Sequence, residues 1–373
     1  MPSGAPCLAR PEVEANAETR ARVARSLLFA SGGVAAIVAS IALLLMVGGY
    51  DVPRALAALW TGSVGSWYAL TSATLVRAIP LMLTGCAIAV AFRAGVFNIG
   101  AEGQLLAGGA GATAIALTMP AAGTGALILA LTAGALAGAG WAAIAAVLRE
   151  KFGVLEVIST IMLNFIALYG VSFLVRGPLQ EPTHAYPQSS AIAEGVRLAR
   201  IPGAGRLHAG IAIALIVVLA GGWALRHTAA GFRMMAVGES PSAAASAGLI
   251  DVRRVTMLAF IASGALAGVA GAIEVLGVTY ALYEDLSPGY GYTAIAVALL
   301  AGLDPWRVVV TASLFAALEA GAGAMQRDAG VPSTLVSVIE ALLILAVVAA
   351  QAIRVRRAGA VSASTASARE HVA

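Results

Sequence analysis

The chain has 373 residues, of which 60% are hydrophobic and only 11% are charged. Because soluble domains carry about 25% charged residues, this composition excludes an ordinary soluble domain and indicates an integral membrane protein. The net charge of +4 is no sign of nucleic-acid binding, since the basic residues of membrane proteins collect in cytoplasmic loops.

The N-terminal segment, residues 1–25, is polar and ends in "ETRARVAR". The apolar run that follows covers residues 26–50, which is longer than the roughly 7–15 residues of a signal-peptide core. A membrane span needs about 20 apolar residues. We therefore predict a polar tail followed by a retained first membrane helix.

Further apolar stretches predict an all-α polytopic membrane protein with about ten transmembrane helices between residues 26 and 355. Pairs of glycines four residues apart, Gly134 with Gly138 and Gly264 with Gly268, predict faces where helices approach closely. After 26–50, the predicted spans are 68–91, 103–117, 125–148, 155–175, 209–225, 255–275, 290–303, 308–325 and 333–353.

Arginine and lysine are unequally divided between the two sides of the predicted membrane domain. Sixteen lie on the side of the N-terminus and six on the other, while Arg77 falls within a span. This bias predicts that both termini are cytoplasmic, including the polar C-terminal tail at 356–373. The loop at 176–208 is then external and the loop at 226–254 is cytoplasmic.

Polar residues interrupt the apolar sequence in "AGVFNIGAEGQLLAGG", where Asn98, Glu102 and Gln104 stand among glycines. Non-helical backbone at membrane depth survives only when it is buried in protein or lines a cavity. We predict a helix break at this point. Two alternatives stay open: the polar side chains line or gate a transport pathway, or they only cap helix ends.

A similar glycine-rich stretch, "SPGYGYTAIAVALLAG", lies about five predicted spans further along the chain. Its orientation would be opposite to that of the first stretch, as in an inverted repeat with paired broken helices. The alternative is that glycine-rich membrane sequences merely look alike.

Catalytic and metal-binding patterns are missing from the sequence. The His and Cys residues are dispersed without metal-ligand spacing, and no clustered nucleophile is seen. Lys151 is the only lysine, so no Walker A loop for ATP exists. Ionisable residues within or at the ends of spans suggest either a proton relay or ordinary helix-end charges. They are Arg77, Glu156, Glu274, Glu319 and Glu340.

The cytoplasmic loop contains "GESPSAAASAG", which predicts a short helix with its own start and stop signals. Ser240 is a good N-cap, Pro241 suits the first helical position, and Gly248 suits the C-terminal stop. Such a helix fits a groove on a partner protein, although a plain connector is the alternative. The residues predicted to contact a partner are Gly238, Glu239, Ser240, Pro241, Ala244, Ala245 and Gly248.

Four motifs together resemble permeases of bacterial ATP-binding-cassette (ABC) importers over about residues 26–355: "AGVFNIGAEGQ", "EVISTIMLNFIALY", "AVGESPSAAASAGL" and "SGALAGVAGAIEVLG". The first two are similar to the nucleoside branch of the ribose-type and nucleoside-type permeases. Ribose-type permeases usually have Asp-Leu-Ser where this chain has Asn98-Ile99-Gly100. That departure counts against a plain sugar permease such as one for ribose.

The resemblance implies a transport subunit without enzymatic activity in the bacterial cytoplasmic membrane. It implies a second permease subunit in a heterodimer, an external substrate-binding lipoprotein, and a separate ATPase that binds ATP and Mg, so this chain needs no cofactor of its own. The segment 236–249 corresponds to the family's coupling region.

A nucleoside needs amide donors and acceptors for its sugar and aromatic surface for its base. The predicted pathway residues are Asn98, Glu102, Gln104, Asn164, Phe165, Tyr290 and Tyr292. A secondary transporter that uses the Glu residues, and a membrane enzyme or scaffold, are the alternatives from other classes.

Overall fold

The computed structural model describes residues 41–121, 123–246 and 250–332, together with residues 39 and 248 and scattered positions between 334 and 345. The predicted tails at 1–25 and 356–373 lie outside these residues, as do much of the predicted spans at 26–50 and 333–353. The described part of the first span is helical over residues 41–47.

The described residues form helices joined by irregular segments, with β-structure confined to isolated bridges. In chain order the helices are α1 (Val52–Ser63), α2 (Trp67–Arg93), α3 (Ala101–Thr118), α4 (Gly123–Phe152), α5 (Glu156–Arg176), α6 (Gly210–His227), α7 (Ala229–Glu239), α8 (Pro241–Ser246), α9 (Val252–Thr279), α10 (Tyr290–Leu300) and α11 (Pro305–Ala329).

Six of these helices, namely α2, α4, α5, α6, α9 and α11, are long and apolar enough to cross a membrane. They coincide with six of the predicted spans, so the prediction of an all-helical, multi-pass membrane protein is confirmed. The remaining predicted spans behave differently. Helix α3 is 18 residues long but carries Glu102 and Gln104 in its first turn, which lowers its hydropathy.

Helix α10 is too short for the span predicted at 290–303. It has 11 residues, which at 1.5 Å per residue extend about 16 Å, roughly half of the 30 Å hydrocarbon core. Helix α1, in contrast, lies where the sequence predicted a loop. It begins with a good N-cap, because the Asp51 carboxylate accepts a hydrogen bond from the backbone N–H of Arg54 at 3.1 Å.

The centre of the fold is a close contact of α3, α4 and α9 through their glycines. A Cβ atom at Gly138 would lie 2.6 Å from Cα of Gly268, and one at Gly134 would lie 2.6 Å from Cβ of Ala272. The predicted glycine-spaced faces therefore do meet each other, backbone against backbone, as small residues allow in lipid. Helix α2 lies beside this group and is buried along most of its length.

The predicted external loop folds back on the end of α9. Backbone N–H groups of Ser189, Ile192 and Leu198 donate to carbonyl oxygens between residues 276 and 282 at 2.8–2.9 Å. The guanidinium of Arg197 lies 4.5 Å from the centroid of the Tyr280 ring. This loop is therefore an ordered layer over the segment that leads from α9 to α10.

Candidate functional site

The predicted helix break between α2 and α3 is present. Helix α2 ends at Arg93, helix α3 begins at Ala101, and the residues between them are not helical. Gly95 has φ +70°, a left-handed conformation that glycine adopts without steric cost. Asn98 is fully buried in this break.

Asn98 and Gln104 form a reciprocal amide pair. The Asn98 Nδ2 donates to Gln104 Oε1, and Gln104 Nε2 donates back to Asn98 Oδ1, both at 3.0 Å. Asn98 Nδ2 also donates to Ser263 Oγ at 2.9 Å, and Asn98 Oδ1 accepts from the N–H of Gly100. Both side chains are buried, so in this conformation they hold the break together and do not face an open path.

Asn164 of α5 forms hydrogen bonds with backbone groups at the same break. Its Oδ1 accepts from the N–H of Gly103 at 2.8 Å, and its Nδ2 donates to the carbonyl of Ile99 at 2.9 Å. The N–H of Gly103 is one of the donors that the start of α3 leaves without a helical partner, and the carbonyl of Ile99 lies in the non-helical break. The same Nδ2 lies 3.3 Å from the hydroxyl of Tyr292 on α10, which brings the second glycine-rich stretch to the site.

Glu102 connects the two glycine-rich stretches directly. Its carboxylate accepts a hydrogen bond from the N–H of Gly291 at 2.7 Å, and it is also bonded to the Ser287 hydroxyl. A Cβ atom at Gly291 would overlap the backbone of Glu102. The first turns of α3 and α10 thus contact each other, and one carboxylate compensates the positive ends of both helices.

The second break is built by local turn chemistry. Ser287 Oγ accepts hydrogen bonds from the N–H groups of Gly289 and Tyr290 at 3.2 and 3.1 Å. Gly289 has φ +100°, which an L side chain rarely adopts. The serine therefore caps the start of α10 while it also bonds to Glu102.

The three predicted aromatic residues differ in exposure, because each helix turns some of its side chains inward and others outward. Tyr290 is only 5% exposed, whereas Tyr292 is 45% and Phe165 is 48% exposed. Tyr290 faces the interior and has no free ring face for a ligand. Tyr292 is accessible beside Asn164, which is itself only 2% exposed, and so marks an accessible edge of the break. Two of the seven predicted pathway residues, Phe165 and Tyr292, are therefore accessible.

The ionisable residues of the spans also fall into separate groups. Glu156 lies at the start of α5, 3.5 Å from Arg149 in an ion pair. Arg77, Glu274 and Glu319 lie within electrostatic range of Tyr290. Glu340 is outside the described residues. The helix-end interpretation therefore fits Glu156. The sequence did not bring together the group around Tyr290, in which Glu274 is buried while Arg77 and Glu319 are partly buried.

Two π-helical segments lie next to this group, and sequence patterns gave no sign of them. One covers Leu70–Thr74, just before Arg77, and the other covers Val275–Thr279, just after Glu274. Such bulges inside helices are frequent at functional sites. Their position marks as irregular the parts of α2 and α9 that adjoin the loop at 176–208.

The loop predicted to be cytoplasmic, residues 226–254, contains the predicted capped helix, here α8, and a second helix, α7, that the sequence did not predict. Ser240 caps α8 by accepting from the N–H of Ala243 at 3.3 Å, and Gly248 has φ +71° after the helix ends. Ala245 is exposed and Ala244 is buried within the chain. Only one of the two alanines thus faces outward.

The chain is similar to known proteins over the region that contains these motifs. Residues 70–348 match the family described as the permease component of branched-chain amino acid transport systems. The chain belongs to this permease family. The helix breaks, the capped helix α8 and seven of the predicted spans all lie within the matched residues.

Three relatives show how far the permease resembles characterised subunits. It is 38% identical over 317 residues to a guanosine ABC transporter permease of Bacillus subtilis, which covers 84% of this chain and 90% of the relative. It is 32% identical over 313 residues to a nucleoside ABC transporter permease of Lactococcus lactis subsp. cremoris, covering 81% and 85%. It is 34% identical over 340 residues to a glucose ABC transporter permease of Haloferax volcanii, covering 88% and 87%. The predicted resemblance to ABC-importer permeases is confirmed.

Proposed function

We propose that this permease is the transmembrane subunit of an ABC importer that carries nucleosides across the bacterial cytoplasmic membrane. The observation that carries the proposal is the 38% identity to a guanosine permease over 90% of that relative's length. The similarity to a glucose permease is lower, at 34%. A simple sugar is therefore the second candidate substrate, and the experiment below distinguishes it.

The accessible edge of the break supplies suitable chemistry for a neutral, flat ligand. Tyr292 is half exposed with its hydroxyl 3.3 Å from the amide of Asn164, and Phe165, the next residue of α5 after Asn164, is half exposed as well. Stacking of a base on an aromatic ring contributes about 1–3 kcal/mol in nucleic-acid sites. We assign Phe165 and Tyr292 to the substrate pathway, and Asn98, Glu102 and Gln104 to the break that supports it.

The partners follow from the family and from the cytoplasmic surface. We propose a separate ATPase, which holds ATP and Mg, beneath α7 and α8. We also propose a second permease subunit and an external binding lipoprotein that delivers the substrate. The exposed residues of α8, including Pro241 and Ala245, and the exposed Glu239 that precedes it are available to such an ATPase.

The meeting of Glu102 and Gly291 supports an inverted repeat in which α3 and α10 are equivalent broken helices. Both begin after glycine-rich segments, and their first turns contact each other. Paired half-helices of this kind surround the substrate site in several transporter folds. We keep about ten spans and two cytoplasmic termini as part of the proposal.

A secondary transporter driven through intramembrane carboxylates is not favoured. Glu102 is bonded to the N–H of Gly291, and Glu156 is paired with Arg149 at a helix end. The relatives described above are all ABC transporter permeases. The carboxylates of Glu102 and Glu156 are thus accounted for by structural contacts.

The test is uptake of labelled guanosine, adenosine, uridine, ribose and glucose by cells with and without this permease. We expect deletion to abolish nucleoside uptake and to leave both sugars unaffected. Loss of sugar uptake alone would show that the substrate assignment is wrong while the family stands. A Walker A lysine variant of the partner ATPase should abolish uptake as well, and persistence of uptake would contradict ATP-driven import.

A further inference from the structure

The turn between α10 and α11 is held in a conformation that its own sequence does not favour. Gly302 has φ +65° and Leu303 has φ +57°. The left-handed conformation is ordinary for glycine but unfavourable for leucine, because the Cβ atom crowds the following carbonyl oxygen. Residues in such conformations persist when surrounding contacts enforce them, and they cluster at switches and functional sites.

Arg93, the last residue of α2, supplies those contacts. Its Nε donates to the carbonyl oxygen of Leu303 at 3.0 Å, and its Nη2 lies 3.4 Å from the carbonyl oxygen of Gly302. Both carbonyls belong to the turn after α10 and lie outside the hydrogen-bond ladder of the helix itself. A planar guanidinium can bind two neighbouring acceptors at once, which an ammonium cannot do with the same geometry.

A second arginine holds the other side of the same turn. Arg226, at the end of α6, forms an ion pair with Asp304 and lies with its guanidinium 4.1 Å from the centroid of the Trp306 ring. Asp304 in turn caps α11 by accepting from the N–H of Trp306 at 3.1 Å. The turn is therefore fixed from α2 on one side and from α6 on the other.

Both arginines adjoin the cytoplasmic segment formed by α7 and α8. The backbone carbonyl of Arg93 packs so closely on Gly238 that a Cβ atom there would overlap it, and Arg93 Nη1 lies 3.9 Å from Sδ of Met235. Arg226 is two residues before Thr228, the residue that caps α7 by accepting from the N–H of Gly231 at 3.1 Å. Movement of this segment must therefore displace one or both arginines.

The opposite end of α10 is the Glu102 site. The helix has 11 residues, so about 16 Å separate its two ends. The C-terminal end is attached to Arg93, and the N-terminal end donates from Gly291 to the Glu102 carboxylate. A short helix fixed at both ends transmits displacement as a rigid body.

We propose that Arg93 is the positioning residue that connects the cytoplasmic segment to the helix break, with α10 as the rigid connection and Arg226 as its second attachment. The proposal rests on the proposed function, since it assumes an ATPase docked at α7 and α8. A movement imposed there shifts Arg93, the strained turn at 302–303, α10, and finally the Glu102–Gly291 contact that joins the two breaks.

The test uses the full importer, with ATPase, both permease subunits and binding protein, reconstituted in vesicles with labelled guanosine as the probe. Arg93→Gln should lower uptake at least tenfold and abolish the stimulation of ATP hydrolysis by loaded binding protein, while basal hydrolysis stays within twofold of wild type. Uptake by Arg93→Lys, which keeps the charge but loses the planar guanidinium, should fall between that of Arg93→Gln and that of wild type. Arg253→Gln is the matched control, because Arg253 is a cytoplasmic arginine that bonds to Glu150 and not to the turn.

Uptake by Arg93→Gln within twofold of wild type would overturn the proposal. Equal loss of uptake and basal hydrolysis, or failure of both Arg93 variants to assemble into the importer, would also overturn it, because the residue would then serve folding alone. Wild-type uptake in the same vesicles separates this result from the proposed function. If wild type imports no guanosine, the proposed function is wrong, and the proposed connection through Arg93 and α10 is not contradicted.

Discussion

The N–H of Gly291 donates to the carboxylate of Glu102 at 2.7 Å, across 189 residues of sequence. This bond joins the first turns of two helices that both begin after glycine-rich breaks. Each helix start carries partial positive charge, so a single buried carboxylate stabilises both. The contact makes the two breaks one structural unit, and the first two predictions test that unit.

Glu102→Ala should damage transport more than folding. It removes the acceptor for Gly291, and loss of a hydrogen bond to a charged group costs about 1.5–3 kcal/mol of the free energy of unfolding. We expect uptake to fall more than tenfold while purified protein still unfolds in one cooperative transition. Glu102→Gln keeps an acceptor oxygen and should retain more activity. If expression is lost and the residual protein transports normally, Glu102 is purely architectural.

Gly291→Ala should disable the site through shape alone. The added Cβ atom would overlap the backbone of Glu102, which cannot move like a flexible side chain. We expect destabilisation of about 1–3 kcal/mol, as for other overpacked cores, and a large loss of uptake. Gly170→Ala on α5 is the matched control, because no atom lies within 4 Å of its Cβ position. Equal behaviour of the two variants in thermal unfolding would contradict the contact.

Phe165→Ala should reduce nucleoside uptake by roughly 5- to 150-fold, which corresponds to a stacking contribution of about 1–3 kcal/mol. Its stability should change little, since the side chain is 48% exposed. Phe152→Ala, at the exposed end of α4, is the control and should transport normally. A Phe165 variant with unchanged uptake and unchanged preference among nucleosides would remove this residue from the pathway.

Ala245→Glu should weaken the ATPase contact without unfolding the permease. Ala245 is exposed on α8, and a carboxylate there would lose its water on docking. The expected result is reduced co-purification of the ATPase and reduced uptake. Ala244→Glu is a poorer probe, because Ala244 is buried within the chain and its variant should be destabilised. Full co-purification and uptake with Ala245→Glu would contradict docking at α8.

His208 should make stability depend on pH. Its ring is buried, its Nδ1 accepts from the N–H of Gly210 at 3.2 Å, and burial together with the nearby Arg200 and Arg206 lowers its pKa to about 4. The unfolded chain, with a pKa near 6.5, takes up the proton first. The stability contribution of the neutral ring is therefore complete above about pH 6.5 and declines as the pH falls toward 4.

The decline should approach about 1.4 kcal/mol per pH unit within that window. Asparagine at this position retains an acceptor and has no proton to gain, so His208→Asn should show a flatter slope of unfolding free energy between pH 6.5 and 4. His184→Asn, in the exposed part of the loop at 176–208, should keep the wild-type slope. Identical slopes for all three proteins would show that His208 does not titrate as described.

Local composition and the chemistry of short segments by themselves determined many of the helices and helix ends of this protein. Six spans follow from apolar length alone, and the break at Asn98 follows from polar residues among glycines. The α8 start at Ser240 and the left-handed Gly248 follow from capping preferences, because a cap depends on residues within one turn of each other. Membership of the permease family could be predicted as well, because the motifs that indicate it are continuous in the sequence.

Only the tertiary structure decided which distant groups meet and which way each side chain points. Tyr290 and Tyr292 look alike in sequence, yet the rotation of α10 buries one and exposes the other. Asn98 and Gln104 form hydrogen bonds with each other, and Glu102 accepts one from Gly291. Arg93 donates to the carbonyl oxygens after α10. No local pattern encodes these pairings, because each depends on the packing of helices whose contacts are set by the whole bundle.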